Sequence, residues 1–200
     1  MKKRLRYYSA DEIRQMKFNR VQELPGIWSK MLGNVSETAW VLVKADPKEG
    51  KSYLVTQMVN ALSEVIGRTC YCSCEEGISA SLQERLNTLK ISGGNIVFVP
   101  EVGSEELLRI FKNRHNRIIV IDSPKHLKMS IEEAQELFTK FHKKKFCILV
   151  NHNHAAIEWD HLVDIVIKVK DGVAHCRGRF GANGKVPIPF FNSKSQPSLF

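Results

Sequence analysis

The chain has 200 residues, enough for one sizeable domain with a packed core. Its hydrophobic content of 43% and charged content of 26% are those of an ordinary globular protein, and no apolar run approaches the ~18 residues of a membrane-spanning helix. The net charge of +9, from 30 basic and 21 acidic side chains, favours polyanions such as nucleic acid and is also compatible with mere solubility.

From the N-terminus, Lys2, Lys3, Arg4 and Arg6 are followed by no apolar stretch, so no secretory signal is read and the expected compartment is the cytoplasm. Ser9 and Glu12 form a capping pair for a short helix, which Leu24-Pro25-Gly26 is expected to break. From residue 39 onward, apolar strands alternate with amphipathic helices. The strands are Trp40–Lys44, Thr69–Ser73, Ile96–Val99, Arg117–Asp122 and Phe146–Asn151. Helices are expected over Tyr53–Ile66, Ser79–Leu89 and Ser104–Lys112. A further one is capped by Ser130 and Glu133 and has an apolar face of Ile131, Ala134, Leu137, Phe138 and Phe141. This alternation predicts an α/β fold with a mostly parallel sheet covered by helices on both faces. Ile165–Lys170, Asp171-Gly172 and Val173–Arg177 read as a C-terminal β-hairpin, and Val186–Phe191 as a further strand. The chain thus divides into an N-terminal extension (1–34), the α/β core (35–191) and a polar tail (192–200).

The most informative segment is Ala45-Asp46-Pro47-Lys48-Glu49-Gly50-Lys51-Ser52-Tyr53. It sits between an apolar strand and a helix start and matches a phosphate-binding loop, G-x-x-x-x-G-K-[ST], except at its first glycine, here Ala45. Backbone N–H groups of such a loop surround phosphate oxygens, Lys51 reaches the β- and γ-phosphates, and the Ser52 hydroxyl holds Mg²⁺. Alanine fits the first position if its φ stays negative, and Glu49 must turn its charge away from the phosphates. Asp122 ends the run Ile118–Ile121, where a magnesium-side aspartate is expected; the alternative is a helix cap. Glu75 and Glu76 lie just past the end of the second strand, and either could polarise an attacking water. His152 ends the fifth strand at the same sheet edge.

Cys70, Cys72 and Cys74 alternate along one strand. Their spacing and the odd total of five cysteines point to buried free thiols rather than disulfides or zinc. Lys143-Lys144-Lys145 reads as a solvated turn. Lys125, His126 and Lys128, just after Asp122, occupy a more suggestive place.

This ordered set resembles the RecA-like ATPases, most closely the RadA branch and more distantly the DnaB-type helicases. Ala45–Ser52 is similar to the RadA loop G-D-P-G-I-G-K-S. Tyr71-Cys72-Ser73-Cys74-Glu75-Glu76 is similar to Y-V-S-G-E-E, which implies that Glu75 is the catalytic base. Ile119-Val120-Ile121-Asp122-Ser123 resembles V-V-x-D-S. Leu149-Val150-Asn151-His152 resembles the strand end that links nucleotide to DNA. Arg177-Gly178-Arg179-Phe180-Gly181 resembles K-N-R-F-G, which implies that Arg177 and Arg179 reach a neighbouring subunit's nucleotide. The plainer alternative for that pair is an exposed hairpin.

The resemblance covers roughly residues 35–190. It implies a RecA-like ATP-binding protein using ATP and Mg²⁺, a DNA-dependent ATPase in recombination, repair or replication, acting on single-stranded DNA as a homo-oligomer. Ala45 and Lys48 replace loop glycines, the loops after Asp122 and His152 are short, and RadA's zinc ribbon and protease-like domain have no counterpart. A second reading is therefore a non-catalytic RecA-like adaptor. It would be tethered to a polymerase or sliding clamp through Gln196-Pro197-Ser198-Leu199-Phe200, which resembles the clamp-binding peptide Q-L-[SD]-L-F at Gln196, Leu199 and Phe200. A small-molecule kinase is disfavoured by the lack of an arginine-bearing lid insertion.

Overall fold

A computed structural model describes residues 7–188. The tail residues Gln196, Leu199 and Phe200 lie outside the described residues.

One eight-stranded sheet organises the chain, in the order β3-β2-β4-β5-β1-β6-β7-β8. Its strands are β1 (Trp40–Ala45), β2 (Thr69–Ser73), β3 (Ile96–Val99), β4 (Ile118–Asp122), β5 (Phe146–His152), β6 (Ile165–Lys170), β7 (Val173–Gly178) and β8 (Asn183–Pro187). The first six strands of that order run parallel, and β6, β7 and β8 form an antiparallel ribbon. The expected mostly parallel sheet with a C-terminal hairpin is thus the architecture found.

Strands β1, β2 and β4 are buried along their whole length, as a sheet covered on both faces requires. Alternation sorts their side chains between two cores. Val41, Val43, Ile118 and Val120 join Leu54, Met58 and Leu62 of helix α3 (Lys51–Val65), and Trp28, Met31 and Leu32 of helix α2 (Ile27–Leu32). Trp40, Leu42, Ile119 and Ile121 meet Leu107 and Phe111 of α5 (Ser104–Lys112), and Ala134 and Phe141 of α6 (Ile131–Phe141). Cys70 and Cys72 are buried in this second core with Cys74 packed against it, and all five cysteines are free thiols.

The capping pairs Ser9–Glu12 and Ser130–Glu133 both form, on α1 (Ala10–Gln15) and α6. Four local expectations are corrected. Helix α1 ends at Gln15, because Met16 turns extended, rather than running on to Leu24-Pro25-Gly26. Helix α3 starts at Lys51 rather than Tyr53, since Gly50 supplies the left-handed residue (φ 81°) that starts it. The last described strand is Asn183–Pro187, which starts three residues before the expected Val186–Phe191; residues 189–191 of that expectation lie outside the described residues. It is an exposed edge strand with a single buried residue, Val186, so no alternation marks it in the sequence. Finally, Lys145 is buried rather than solvated. Its ammonium donates to the carbonyls of Asn113 (2.6 Å) and Asn116 (2.5 Å).

Two helices carried no readable signal: α2 and α7 (Glu158–Leu162). The turn after α2 depends on Gly33 (φ 64°), where a Cβ would lie 2.1 Å from the Phe180 carbonyl oxygen. Helix α4 (Ala80–Thr88) completes the set, capped by the Ser79 hydroxyl. Among the described residues no helix is long and apolar enough to cross a membrane.

Candidate functional site

Parallel strands joined by crossovers present their C-terminal ends along one edge, and ligands bind there. The register fixes which residues share that edge. Ala45 lies opposite His152, Ser73 opposite Asp122, and Asp122 opposite Val150. The sheet therefore brings the starts of the phosphate-binding loop, the Glu75 turn, the Asp122 loop and the His152 loop side by side.

Ala45 is the buried last residue of β1 and is not among the residues at positive φ, so its methyl group fits where the motif has glycine. Its carbonyl accepts the Asn153 N–H at 3.2 Å. Asp46 receives the Asn153 side-chain amide at 3.2 Å and lies 3.7 Å from His154. Both contacts tie the loop to the chain after β5. Pro47 is exposed. Lys48 adopts φ 68°, a left-handed conformation natural to the glycine that the RadA loop has there. Glu49 turns away as its charge requires, and its carboxylate accepts the Asp171 N–H at 2.7 Å in the β6–β7 turn. Lys51 is 9% exposed and forms no salt bridge with a carboxylate among the described residues. Ser52 and Tyr53 follow, half-buried, in the first turn of α3.

Asp122 is 6% exposed. Burial raises its carboxyl above the ordinary carboxylate value. The Tyr71 hydroxyl, donating to Oδ2 at 2.7 Å, and the positive charge of Lys51 pull the other way. Tyr71 is itself fully buried, so this bond satisfies both polar groups. A buried phenol needs a hydrogen-bond partner, and this pairing was not read from the sequence. The peptide bond between Asp122 and Ser123 is cis.

The two glutamates have different surroundings. Glu76 is engaged by Ser81 and by Arg85 at 2.7 Å; although burial alone would raise its carboxyl, these bonds hold it below the usual value. Glu75 stays at the edge. Its N–H donates to the Asp122 carbonyl at 2.9 Å, and its carboxylate lies 3.5 Å from His126, whose Nδ1 is 2.9 Å from the Ser123 hydroxyl. His152 shares this field. Partial burial, then the charge of Lys51, lowers its pKa, with Glu75 opposing. A cleft of about 660 Å³ opens between Asp46, Lys125, His152 and Trp159, within the range of small-molecule sites.

No family model matches the sequence, and no curated protein does. Solved structures do match. The flagellar accessory protein FlaH from Methanocaldococcus jannaschii aligns with TM-score 0.63 at 12% identity, over 84% of this chain and 91% of that one. A KaiC-like protein from Pyrococcus horikoshii aligns with TM-score 0.64 at 16% identity, over 86% and 94%. The core is RecA-like. At these identities the likeness is one of fold.

Within this RecA-like core, Arg177 and Arg179 lie away from the phosphate loop, on β7 and just after it. Each is paired inside its own chain. Arg177 meets Asp160 at 2.5 Å, and Arg179 meets Asp164 at 2.8 Å. Asp160 also holds Lys44 at 2.6 Å with both side chains nearly buried, and Asp164 accepts the Trp40 N–H at 3.0 Å. These two aspartates were not singled out in the sequence. Among the described residues no group of three or more His, Cys, Asp or Glu side chains could hold a metal ion.

Proposed function

We propose that the protein binds ATP at the loop Ala45–Ser52 and hydrolyses it, as a DNA-associated ATPase of RecA-like fold that assembles with further copies of itself. The observation that carries this reading is the convergence of Lys51, Asp122, Glu75 and His152 on one sheet edge beside a helix that begins at Lys51. The positive end of α3 and the Lys51 ammonium meet the phosphates. Ser52 and Asp122 offer hydroxyl and carboxylate oxygens, a hard donor set that suits Mg²⁺. When bound, that ion would neutralise charge on the phosphate oxygens. Tyr71 orients Asp122. Glu75, exposed at the edge, takes the proton of the attacking water. Arg177 or Arg179 of one copy would serve a neighbour's site once released from Asp160 or Asp164. His152 and the loop carrying Lys125 and Lys128 would pass the nucleotide state to single-stranded DNA.

The decisive experiment is ATP turnover with and without single-stranded DNA, followed alongside light scattering. DNA-stimulated turnover with a change in assembly supports the reading; turnover indifferent to both sinks its DNA-linked part.

A second reading, a non-catalytic adaptor, is favoured by one observation: both hairpin arginines are held by carboxylates of their own chain. Deleting Gln196–Phe200 separates the two. An adaptor loses its clamp or polymerase partner, whereas an ATPase keeps its turnover.

A further inference from the structure

At the opposite edge of the sheet from the phosphate loop, a groove of about 890 Å³ runs beneath the N-terminal ends of β1, β4 and β5. With β1 six residues long, the two edges stand roughly 20 Å apart. Six exposed cations border this groove: Lys17, Lys112, Arg114, Arg117, Lys143 and Lys144. Its single carboxylate among the described residues is Glu37, which lies 3.3 Å from Arg117. A large part of the chain's +9 surplus is therefore gathered at one concavity. The walls are held in place from inside. The buried Lys145 ties the loop carrying Arg114 to the strand that follows Lys144, through the carbonyls of Asn113 and Asn116. Phe18 stands on the same groove with 64% of its surface in water.

Helix ends explain some of these positions singly. Lys112 ends α5 and Lys143 follows α6, and cations are favoured at helix C-termini. That does not place Lys17, Arg114 and Arg117 around the same hollow, nor leave an aromatic ring bare among them. Mutual repulsion makes such a cluster costly unless an anion spans it. A concave row of cations beside an exposed ring has the two elements that single-stranded nucleic acid requires: charge that follows the phosphates and a flat face on which a base stacks.

We propose that this groove binds the phosphodiester backbone of single-stranded nucleic acid, with Phe18 stacking on a base. The site is separate from the loops after Asp122 and His152, and it stands whether or not the phosphate loop binds a triphosphate.

The test is fluorescence anisotropy of the full chain with labelled oligo(dT) and oligo(U) of about 20 nucleotides, the corresponding duplex, and vesicles of anionic phospholipid. Neutralising about five phosphates predicts a log–log salt slope near −3.5 for a single strand. The variant Lys112→Glu, Arg114→Glu, Lys143→Glu, Lys144→Glu should weaken binding at least about 30-fold and flatten the slope toward about −1. Phe18→Ala should weaken single strands roughly tenfold and the duplex far less. Preference between oligo(dT) and oligo(U) identifies which nucleic acid is held, and either supports the site. All these positions are exposed, and the pair Lys143→Gln, Lys144→Gln gives a milder test, expected to lower affinity about fivefold. Single-strand affinity within twofold of the unaltered chain in these variants overturns the proposal. So does loss of affinity only in Lys125→Glu, Lys128→Glu, or binding to vesicles alone. Lys51→Ala should leave nucleotide-free binding unchanged, so a failed ATPase reading and a failed groove give different results.

Discussion

Tyr71→Phe isolates one bond at the candidate site. The hydroxyl is fully buried and donates to Asp122 Oδ2 at 2.7 Å, while the ring packs against Phe98 with centroids 5.1 Å apart. Phenylalanine keeps the ring contacts and removes only the donor. A hydrogen bond to an ionised group contributes about 1.5–3 kcal/mol and a neutral one about 0.5–1.5, so the loss depends on whether Asp122 is charged. Burial places the folded-state pKa of Asp122 above its ordinary 3.8. The folded chain therefore holds that proton to higher pH than the unfolded chain. Ionising Asp122 costs nothing below the unfolded value and its full penalty appears above the folded one. Removing the donor enlarges that penalty. The expected loss is about 2 kcal/mol around pH 8 and about 1 kcal/mol below the unfolded value. With a urea m-value of roughly 2 kcal/mol per molar, the midpoint falls by about 1 M in the first case and about half that in the second. Urea titrations of both proteins across pH measure this directly, and other titrating groups cancel in the difference. A loss equal at both pH values, and undiminished when Asp122 is also changed to Asn, would refute the assignment.

Lys51→Ala should abolish ATP turnover; turnover at the unaltered rate would mean that hydrolysis occurs elsewhere. Glu75→Gln should retain fluorescent-nucleotide binding while turnover falls about 10²–10⁴-fold, the contribution of a positioned base; a change of less than threefold removes Glu75 from that role. Asp122→Asn should stabilise the chain near neutral pH and not below its unfolded pKa, since it deletes the buried charge; urea midpoints that ignore pH would contradict the burial argument. Lys44→Ala breaks a nearly buried pair with Asp160 and should cost about 3 kcal/mol, whereas Arg177→Ala, at an exposed partner, should cost below about 1 kcal/mol. The reverse ranking in thermal melts would show that the hairpin, not the sheet, anchors Asp160.

What the sequence made legible follows from how strongly each element is specified. Strands buried on both faces, such as Ile118–Asp122, leave continuous apolar runs that end in a polar residue, and their order alone implies that Ala45, Asp122 and His152 share one edge. Lone short elements were opaque. Helix α2 has no side-chain cap at its N-terminus, and it is helical because Trp28 and Met31 find a core; β8 is a strand because β7 pairs with it. Pairwise chemistry was equally hidden. Nothing in Glu75-Glu76 says that Arg85 claims the second, and nothing in Arg177 or Arg179 announces Asp160 and Asp164. Arg85 reaches Glu76 from α4, nine residues on, and the two hairpin arginines meet their aspartates 17 and 15 residues away because the ribbon returns to the end of the α7 segment.

The bond from the Asp171 amide to Glu49 adds a side-chain link between two regions that the β1–β6 pairing already sets side by side. The loop tip is thereby fastened to the bend of an antiparallel ribbon whose far end bears Arg177, five residues of β7 away. Displacing the tip would therefore strain a bond at that bend. Conversely, whatever grips the ribbon from outside would bear on the tip's shape. Cutting this link should leave both regions intact and weaken their coupling, with the β1–β6 pairing still joining them.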